Sequence, residues 1–215
     1  MNRWRRGILP GTIPDILRRK FSSRPAAWIR PESALIVPVP EAEEAVAECL
    51  GRGSVDASGL PLHITVMYPF LRRSAITRDD ELAVAELAHG IEPFRFELAR
   101  IDQFPGVHYL APKPSAPFVE ITGAVQRRWP SCTPYGGAYD PLIPHVTVAM
   151  SEEPPAGHRQ LSQLLPIRAH AAEMWLAEQA LGRWRVRHRF RLGKGGSRLG
   201  PRPRCHRPRC ARLAS

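Results

Sequence analysis

Cysteine is too scarce and too irregularly spaced to build a disulfide framework. Cys49, Cys132, Cys205 and Cys210 are the only four, and no spacing pattern relates them. Cys205-His206 and Cys210 supply three metal-binding side chains without a fourth, whereas structural zinc takes four, so no metal site and no cofactor is expected. No apolar run is long enough to span a membrane. Gly7-Ile-Leu-Pro10 is too short for the apolar region of a signal peptide. A reducing cytoplasm without membrane contact is the default location. Glycine-rich phosphate loops are missing, and so is any acidic residue after residue 192.

The shortage of acid at the ends explains the net charge of +11. Residues 1–30 carry eight Lys/Arg against Asp15 alone, and residues 193–215 carry seven with no acid. Residues 31–192 sum to −3. The basicity therefore belongs to two arms suited to polyanions, and a high pI says nothing about a cleft in the near-neutral middle. The expected organisation is a basic, disordered extension over 1–30, one folded unit over 31–193, and a basic, disordered tail over 194–215. A chain of 215 residues is long enough to bury a sizeable core.

Two four-residue stretches dominate the middle: His63-Ile64-Thr65-Val66 and His145-Val146-Thr147-Val148. Each sits in a β-branched apolar run. Side chains alternate across a strand, so His63 and Thr65 share one face, and Ile64, Val66 and Tyr68 the other. His145 and Thr147 share a face in the same way. Eight His and six Thr scattered over the chain yield roughly 0.2 His-x-Thr triplets by chance. Two copies with matching apolar positions point to a paired device.

Around these motifs, periodicity predicts a strand at 34–39, helices at 41–50, 79–89 (with Asp79 as N-cap), 118–129 and 158–165, and a hairpin of 94–99 with 107–110 through Pro105-Gly106. One strand is predicted over 167–177 and another over 184–192. In the last, Trp184, Val186, His188, Phe190 and Leu192 alternate with Arg183, Arg185, Arg187, Arg189 and Arg191. The arginine stripe reads as a solvated face or as a phosphate-tracking surface. The element order repeats, which predicts an α+β fold of two pseudo-symmetric lobes. Each is an antiparallel sheet with flanking helices and one motif strand, and a pseudo-twofold between the lobes would set the motif strands facing a central cleft.

Paired His-x-Thr-x motifs about eighty residues apart resemble the 2H phosphoesterase superfamily, and within it the 2′-5′ RNA ligase-like, or cyclic phosphodiesterase, group. The stretches Ser33-Ala-Leu-Ile-Val-Pro-Val-Pro40, Leu62-His-Ile-Thr-Val-Met-Tyr-Pro-Phe70, Tyr135-Gly-Gly137 and Gly182-Arg-Trp-Arg-Val186 are similar to it as well. The likeness covers residues 33–193 and neither end. It implies that the two motifs meet across the cleft and that the partners are RNA ends carrying a 2′,3′-cyclic phosphate or a 2′-5′ linkage, or small cyclic nucleotides. It also implies His63 and His145 as general acid and base and Thr65 and Thr147 on the phosphate.

Two imidazoles facing one phosphate can run this chemistry without a metal. An unperturbed pKa near 6.5 lets one ring be neutral and the other protonated at neutral pH, and fixed hydroxyls help where charge gathers on the phosphate oxygens. Tyr68, Phe70 and Tyr135 are candidates for stacking on a base or for packing. His108, on the hairpin, reads as a surface residue. A catalytically inactive RNA-binding protein of the same fold is the alternative, opposed by intact His and Thr in both motifs. A metal-dependent hydrolase is opposed by the scarcity of carboxylates beside them, Asp140 apart. A monomer is expected.

The arms should add affinity, not chemistry. Deleting 1–30 and 194–215 should leave the melting temperature and kcat on a mononucleotide substrate nearly unchanged. It should also flatten the slope of log K against log salt for a thirty-mer RNA, because fewer counterions are released. Equal slopes would remove the arms from RNA binding, and loss of kcat would place one of them in the cleft.

Overall fold

The computed structural model of the chain describes residues 33–51, 59–137, 141–180 and 183–194. Both basic arms, the Cys205–Cys210 stretch and Asp140 lie outside the described residues.

Strand β1 (Ser33–Pro38) is almost wholly buried and runs into a single 3-10 turn at Pro40–Ala42 and helix α1 (Glu43–Leu50). Strand β2 (His63–Met67) carries the first motif. Helix α2 (Arg78–His89) starts one residue before the Asp79 cap expected from the sequence, because Thr77 caps it instead. The Thr77 hydroxyl accepts the Asp80 N–H at 3.1 Å, and Asp80 accepts the Thr77 N–H at 3.0 Å, a reciprocal capping box. Burial alone would raise the pKa of Asp80, but the bonds from Thr77 and from the Trp129 indole outweigh it and hold the carboxyl below its usual range.

Strands β3 (Phe94–Phe104) and β4 (Val107–Lys113) form the hairpin, both longer than the periodicity suggested. Helix α3 (Ala116–Arg128) follows, then β5 (Val146–Ala149) with the second motif, and α4 (His158–Gln163). The strand predicted over 167–177 is two strands, β6 (Ile167–Ala171) and β7 (Glu173–Ala180), which separate at Ala172. Strand β8 (Arg183–Arg191) closes the fold.

All strands join one antiparallel sheet in the order β6-β3-β4-β5-β2-β1-β7-β8. The two expected lobes are its halves, β6-β3-β4-β5 and β2-β1-β7-β8, and they meet through the motif strands. Neither half is contiguous in sequence. The β3–β4 hairpin pairs with the second motif strand, and β7–β8 with the partner of the first. The chain thus exchanges a strand pair between halves, which a linear reading of repeated elements does not reveal. The sheet is curled. Glu41, just after β1, accepts the backbone N–H of His170 on edge strand β6 at 3.0 Å, although four strands separate β1 from β6.

The helices cover one face. Val46, Val84, Phe118, Ile121 and Leu161 pack there on Ile64, Val66, Leu98, Leu110, Val146 and Leu176 in one continuous core. Register shifts interrupt four ladders among the described residues, and those on β2 and β8 redirect the side chains that matter for the site. On β2, Leu35 pairs with Met67 but Ile36 with Thr65, so Val66 is the extra residue. Val66 and Met67 both turn to the helix face, and Tyr68 is flipped to the histidine face, against the expectation that it would share the side of Ile64. The ladder leaves the carbonyl of a bulged residue without its regular partner, and the Thr122 hydroxyl of α3 reaches the Val66 carbonyl oxygen at 3.1 Å.

On β8 the same event makes Arg187 the extra residue, since Leu176 pairs with His188 but Ala177 with Val186. The expected stripe of five arginines is therefore split. Arg185 and Arg187 join buried Glu178 and Glu81 (2.6–3.3 Å), with Arg73 and His188 alongside. Burial would raise the pKa of Glu178, but its bond with Arg185 and the charge of Arg73 hold it below the usual range. Stability from Glu178 is thus present above the unfolded carboxylate pKa and lost as pH falls through the lower folded value.

Gly157 caps α4 at φ 88°, where a Cβ would lie 1.9 Å from the carbonyl oxygen of Cys49; Gly51, at φ 87°, has open space around it. Both positions favour glycine for backbone reasons, about 1–3 kcal/mol each, but only one also forbids a methyl group. Gly157→Ala should therefore lower the urea midpoint clearly more than Gly51→Ala. Equal losses would mean that α1 and α4 are not packed this closely.

Candidate functional site

The two motif strands touch through one Cα pairing, Ile64 with Val146. Both side chains are fully buried on the helix face. Antiparallel pairing one residue to either side sets His63 opposite Thr147 and Thr65 opposite His145, on the other face. Directly opposed residues have Cβ atoms about 4.5–5.5 Å apart, and diagonal ones about 7–8 Å, which is the relation of His63 to His145. Each hydroxyl thus lies beside both imidazoles, one along its own strand and one across. His63, Thr65 and His145 are half-buried, and Thr147 is exposed.

The rings are held alike. Nδ1 of His63 donates to the carbonyl oxygen of Pro61 at 2.7 Å, and Nδ1 of His145 donates to that of Ile143 at 2.7 Å. A carbonyl can only accept, so both neutral rings carry their proton on Nδ1 and their lone pair on Nε2. The same two-residue back-reach at both motifs places a pseudo-twofold axis between Ile64 and Val146.

Strands flanking the motif strands obey the same symmetry. Ile36 of β1 pairs with Thr65 and Tyr109 of β4 with Thr147; one strand further out, Trp175 pairs with Ile36 and Asp102 with Tyr109. Equivalent positions hold different chemistry. One wing presents an aliphatic chain and an indole, the other a phenol and a carboxylate. Tyr109 packs at 5.2 Å from the His145 ring and stacks at 4.3 Å on Phe104, which meets His145 edge-on at 5.2 Å. Burial, and then the Asp102 carboxylate, push the Tyr109 phenol up to about 12. Arg100 in turn pairs with Asp102 at 3.2 Å.

Of the stacking candidates, Tyr68 is half-buried on the histidine face and meets Tyr135 at 6.4 Å and Trp184 at 5.9 Å. The Tyr135 N–H donates to the Tyr68 carbonyl, which ties the Pro134–Gly137 turn to the end of β2. Phe70 is different. It packs edge-on against Trp129 at 5.1 Å in the helix-side core, so it does not face the histidines and its stacking role is withdrawn. His108 is buried beside His158, not on the surface, because alternation along β4 puts it on the face of Leu110, where α4 covers it. His188 contacts Glu81. Among the described residues, no group of three or more His, Cys, Asp or Glu is placed to hold a metal ion, and no helix is long and apolar enough to cross a membrane.

Sequence reasoning missed Tyr109, Phe104, Asp102 and Trp175. Their places depend on which strands neighbour the motif strands, and alternation within a strand carries no such information.

Comparison with known proteins agrees with this architecture. A family model described as the 2′-5′ RNA ligase superfamily matches residues 38–183, and the chain belongs to that family of 2H phosphoesterases. No curated protein matches by sequence. Among solved structures, E. coli LigT complexed with NADP+ shares 20% identity over 76% of this chain and 98% of its own, at a TM-score of 0.51. The same protein complexed with 3′-AMP gives 19%, 76%, 98% and 0.51. TT0787 of Thermus thermophilus gives 19%, 76%, 99% and 0.54. These likenesses establish the fold: a curled antiparallel sheet with helices, of the α+β class.

Tyr109 should stay protonated far into alkaline pH. Between pH 8 and 10, the rise in phenolate absorbance should be the same for the wild type and Tyr109→Phe, since Tyr109 stays almost wholly protonated in that window. A smaller rise in the variant would mean that the phenol is solvated and not packed behind His145.

Proposed function

We propose that this protein is a metal-independent phosphoesterase of RNA ends, hydrolysing 2′,3′-cyclic phosphates or cleaving and forming 2′-5′ linkages, with His63 and His145 as general acid and base. The observation that carries the reading is the matched 2.7 Å bond from Nδ1 of each ring to a backbone carbonyl oxygen. With Nδ1 held by a backbone carbonyl in both motifs, Nε2 is in each case the nitrogen that takes or gives a proton, and the pairing of β2 with β5 sets the two rings on one face.

In the hydrolytic direction, one neutral histidine removes a proton from the attacking water as the new P–O bond forms. The other, as imidazolium, gives its proton to the departing ribose oxygen as that P–O bond breaks. Water adds across the ring, and the two histidines exchange protonation states, to be reset by solvent. Each transfer is worth about 10²–10⁴-fold in rate. Thr65 and Thr147 donate to the non-bridging oxygens, where charge accumulates. Tyr68 and Tyr135 stand beside the site as stacking surfaces. LigT, a similar fold, is described with 3′-AMP and with NADP+, which supports a nucleotide as ligand here. By family resemblance, a 2′,3′-cyclic substrate should yield a 2′-phosphate.

His63→Ala and His145→Ala should each lower kcat on a nucleoside 2′,3′-cyclic phosphate by about 10²-fold or more. The double variant should cost little more than either, because the pair acts as a unit. Thr65→Val and Thr147→Val should be milder. Wild-type activity should survive EDTA and follow a bell-shaped pH profile around neutrality. Strict dependence on added Mn²⁺ or Zn²⁺ would overturn the metal-free reading. Binding of RNA ends without turnover would support the inactive RNA-binding alternative.

A further inference from the structure

The histidine face carries a second apolar cluster, separate from the helix-side core and confined to one wing of the sheet. Ala34, Ile36, Leu60 and Ala177 form its buried floor, and Tyr68, Trp175, Trp184 and Val186 are packed on it, each only partly buried. A floor of small aliphatic residues under half-buried aromatic rings leaves apolar surface at the level of the reacting groups. At the pseudo-symmetric positions of the other wing stand Tyr109 and the Asp102–Arg100 pair, where such a surface is replaced by charge.

Trp175 is the centre of this wing. It lies in the cross-strand row Thr65–Ile36–Trp175, so its Cα is two strand spacings, roughly 9–10 Å, from the threonine beside the phosphate position. A phosphate and the base of the same nucleoside are separated by a similar span. The indole is fixed, since its Nε1–H donates to Glu173 at 2.7 Å. The guanidinium of Arg189, an exposed residue on the neighbouring strand, stacks 4.2 Å from the Trp175 ring centroid. A guanidinium layered on an indole offers a flat, cationic, sequence-tolerant surface of the kind on which unpaired bases stack.

We propose that the Trp175–Arg189 pair is the nucleobase subsite of this protein, holding the base of the nucleoside whose ribose carries the reacting phosphate. The inference rests on the phosphoesterase reading of His63 and His145 and adds a direction to it. The bound nucleoside extends over β1, β7 and β8, and not over β3, β4 and β6. Stacking gives little discrimination between bases and strong discrimination against substrates that lack one. The subsite thus selects nucleoside over plain sugar cyclic phosphates.

The test compares nucleoside 2′,3′-cyclic phosphates with ribose 2,3-cyclic phosphate, which has no base. The readout is the ratio of their kcat/KM values. In Trp175→Ala and Arg189→Ala this preference should fall at least tenfold, and Trp175→Phe, which keeps a ring, should retain most of it. Because Trp175 also contributes to packing, a melting curve accompanies each variant, and exposed Arg189 supplies an arm free of that concern. Binding is read separately from turnover, by quenching of tryptophan fluorescence on titrating nucleoside 2′-monophosphate or ribose 2-phosphate into the His63→Ala protein. Quenching by the nucleotide alone, lost in the His63→Ala and Arg189→Ala combination, which keeps Trp175 as the reporter, is the expected result. An unchanged preference in both Trp175→Ala and Arg189→Ala would overturn the subsite. Absence of turnover on every cyclic phosphate by the wild type, with nucleotide quenching intact, would instead defeat the phosphoesterase reading and leave the base site standing.

Discussion

The contact of Ile64 with Val146 is the constraint on which the rest of the architecture depends. It is a single antiparallel pairing at the middle of an eight-stranded sheet. It joins the two halves, fixes a pseudo-twofold axis and decides which residues face one another. Register has period two, so a slip of one residue would send His63 and Thr65 into the helix-side core and bring Ile64 out. Burial of Ile64 and Val146 at zero exposure is therefore what holds the histidines on the other face. Full burial of such a side chain contributes about 1.5–3 kcal/mol, and the flanking ladders β1–β2 and β4–β5 hold the short contact in place.

Symmetry gives the site its paired donors, and departure from symmetry gives it a direction. The motifs are alike down to the 2.7 Å bond from Nδ1 to the carbonyl two residues earlier. Beside them, Ile36 faces Tyr109 across the axis and Trp175 faces Asp102. The bulge at Val66 contributes twice. It lets Thr122 tie α3 to the motif strand, and it turns Tyr68 from the core to the wing where Trp184 lies.

Much of this was legible in the sequence. The His-x-Thr repeats, most helices and strands and the hairpin at Pro105-Gly106 follow from spacing and alternation, and the family follows from the resemblance of the motifs. What escaped has one physical origin: it depends on which strand lies beside which. The bulges at Val66 and Arg187 are defined only against β1 and β7. Nothing within 183–191 signals that Arg185 and Arg187 would turn toward buried Glu178 and Glu81 while Arg189 stacks on Trp175. The exchange of strand pairs between halves is invisible for the same reason, and with it the neighbourhood of Tyr109. The break at Ala172 belongs to this group too, whereas His108 is buried by the cover of α4 on its face of β4. The Phe70 assignment failed locally, because an aromatic close in sequence to a motif strand was placed in the cleft when the helix-side core claimed it.

The central claim is that two histidines, matched in tautomer and set on one face, act on one phosphate. Long-range ¹H–¹⁵N correlation of the imidazole rings in uniformly labelled protein tests it most directly. With His63 and His145 assigned by substitution, both neutral rings should show a protonated Nδ1 and an unprotonated, pyridine-like Nε2 nitrogen shift, and both should move together on titration with a nucleoside 2′-monophosphate. A ring found with its proton on Nε2, or a ligand that perturbs one histidine and leaves the other untouched, would contradict the account.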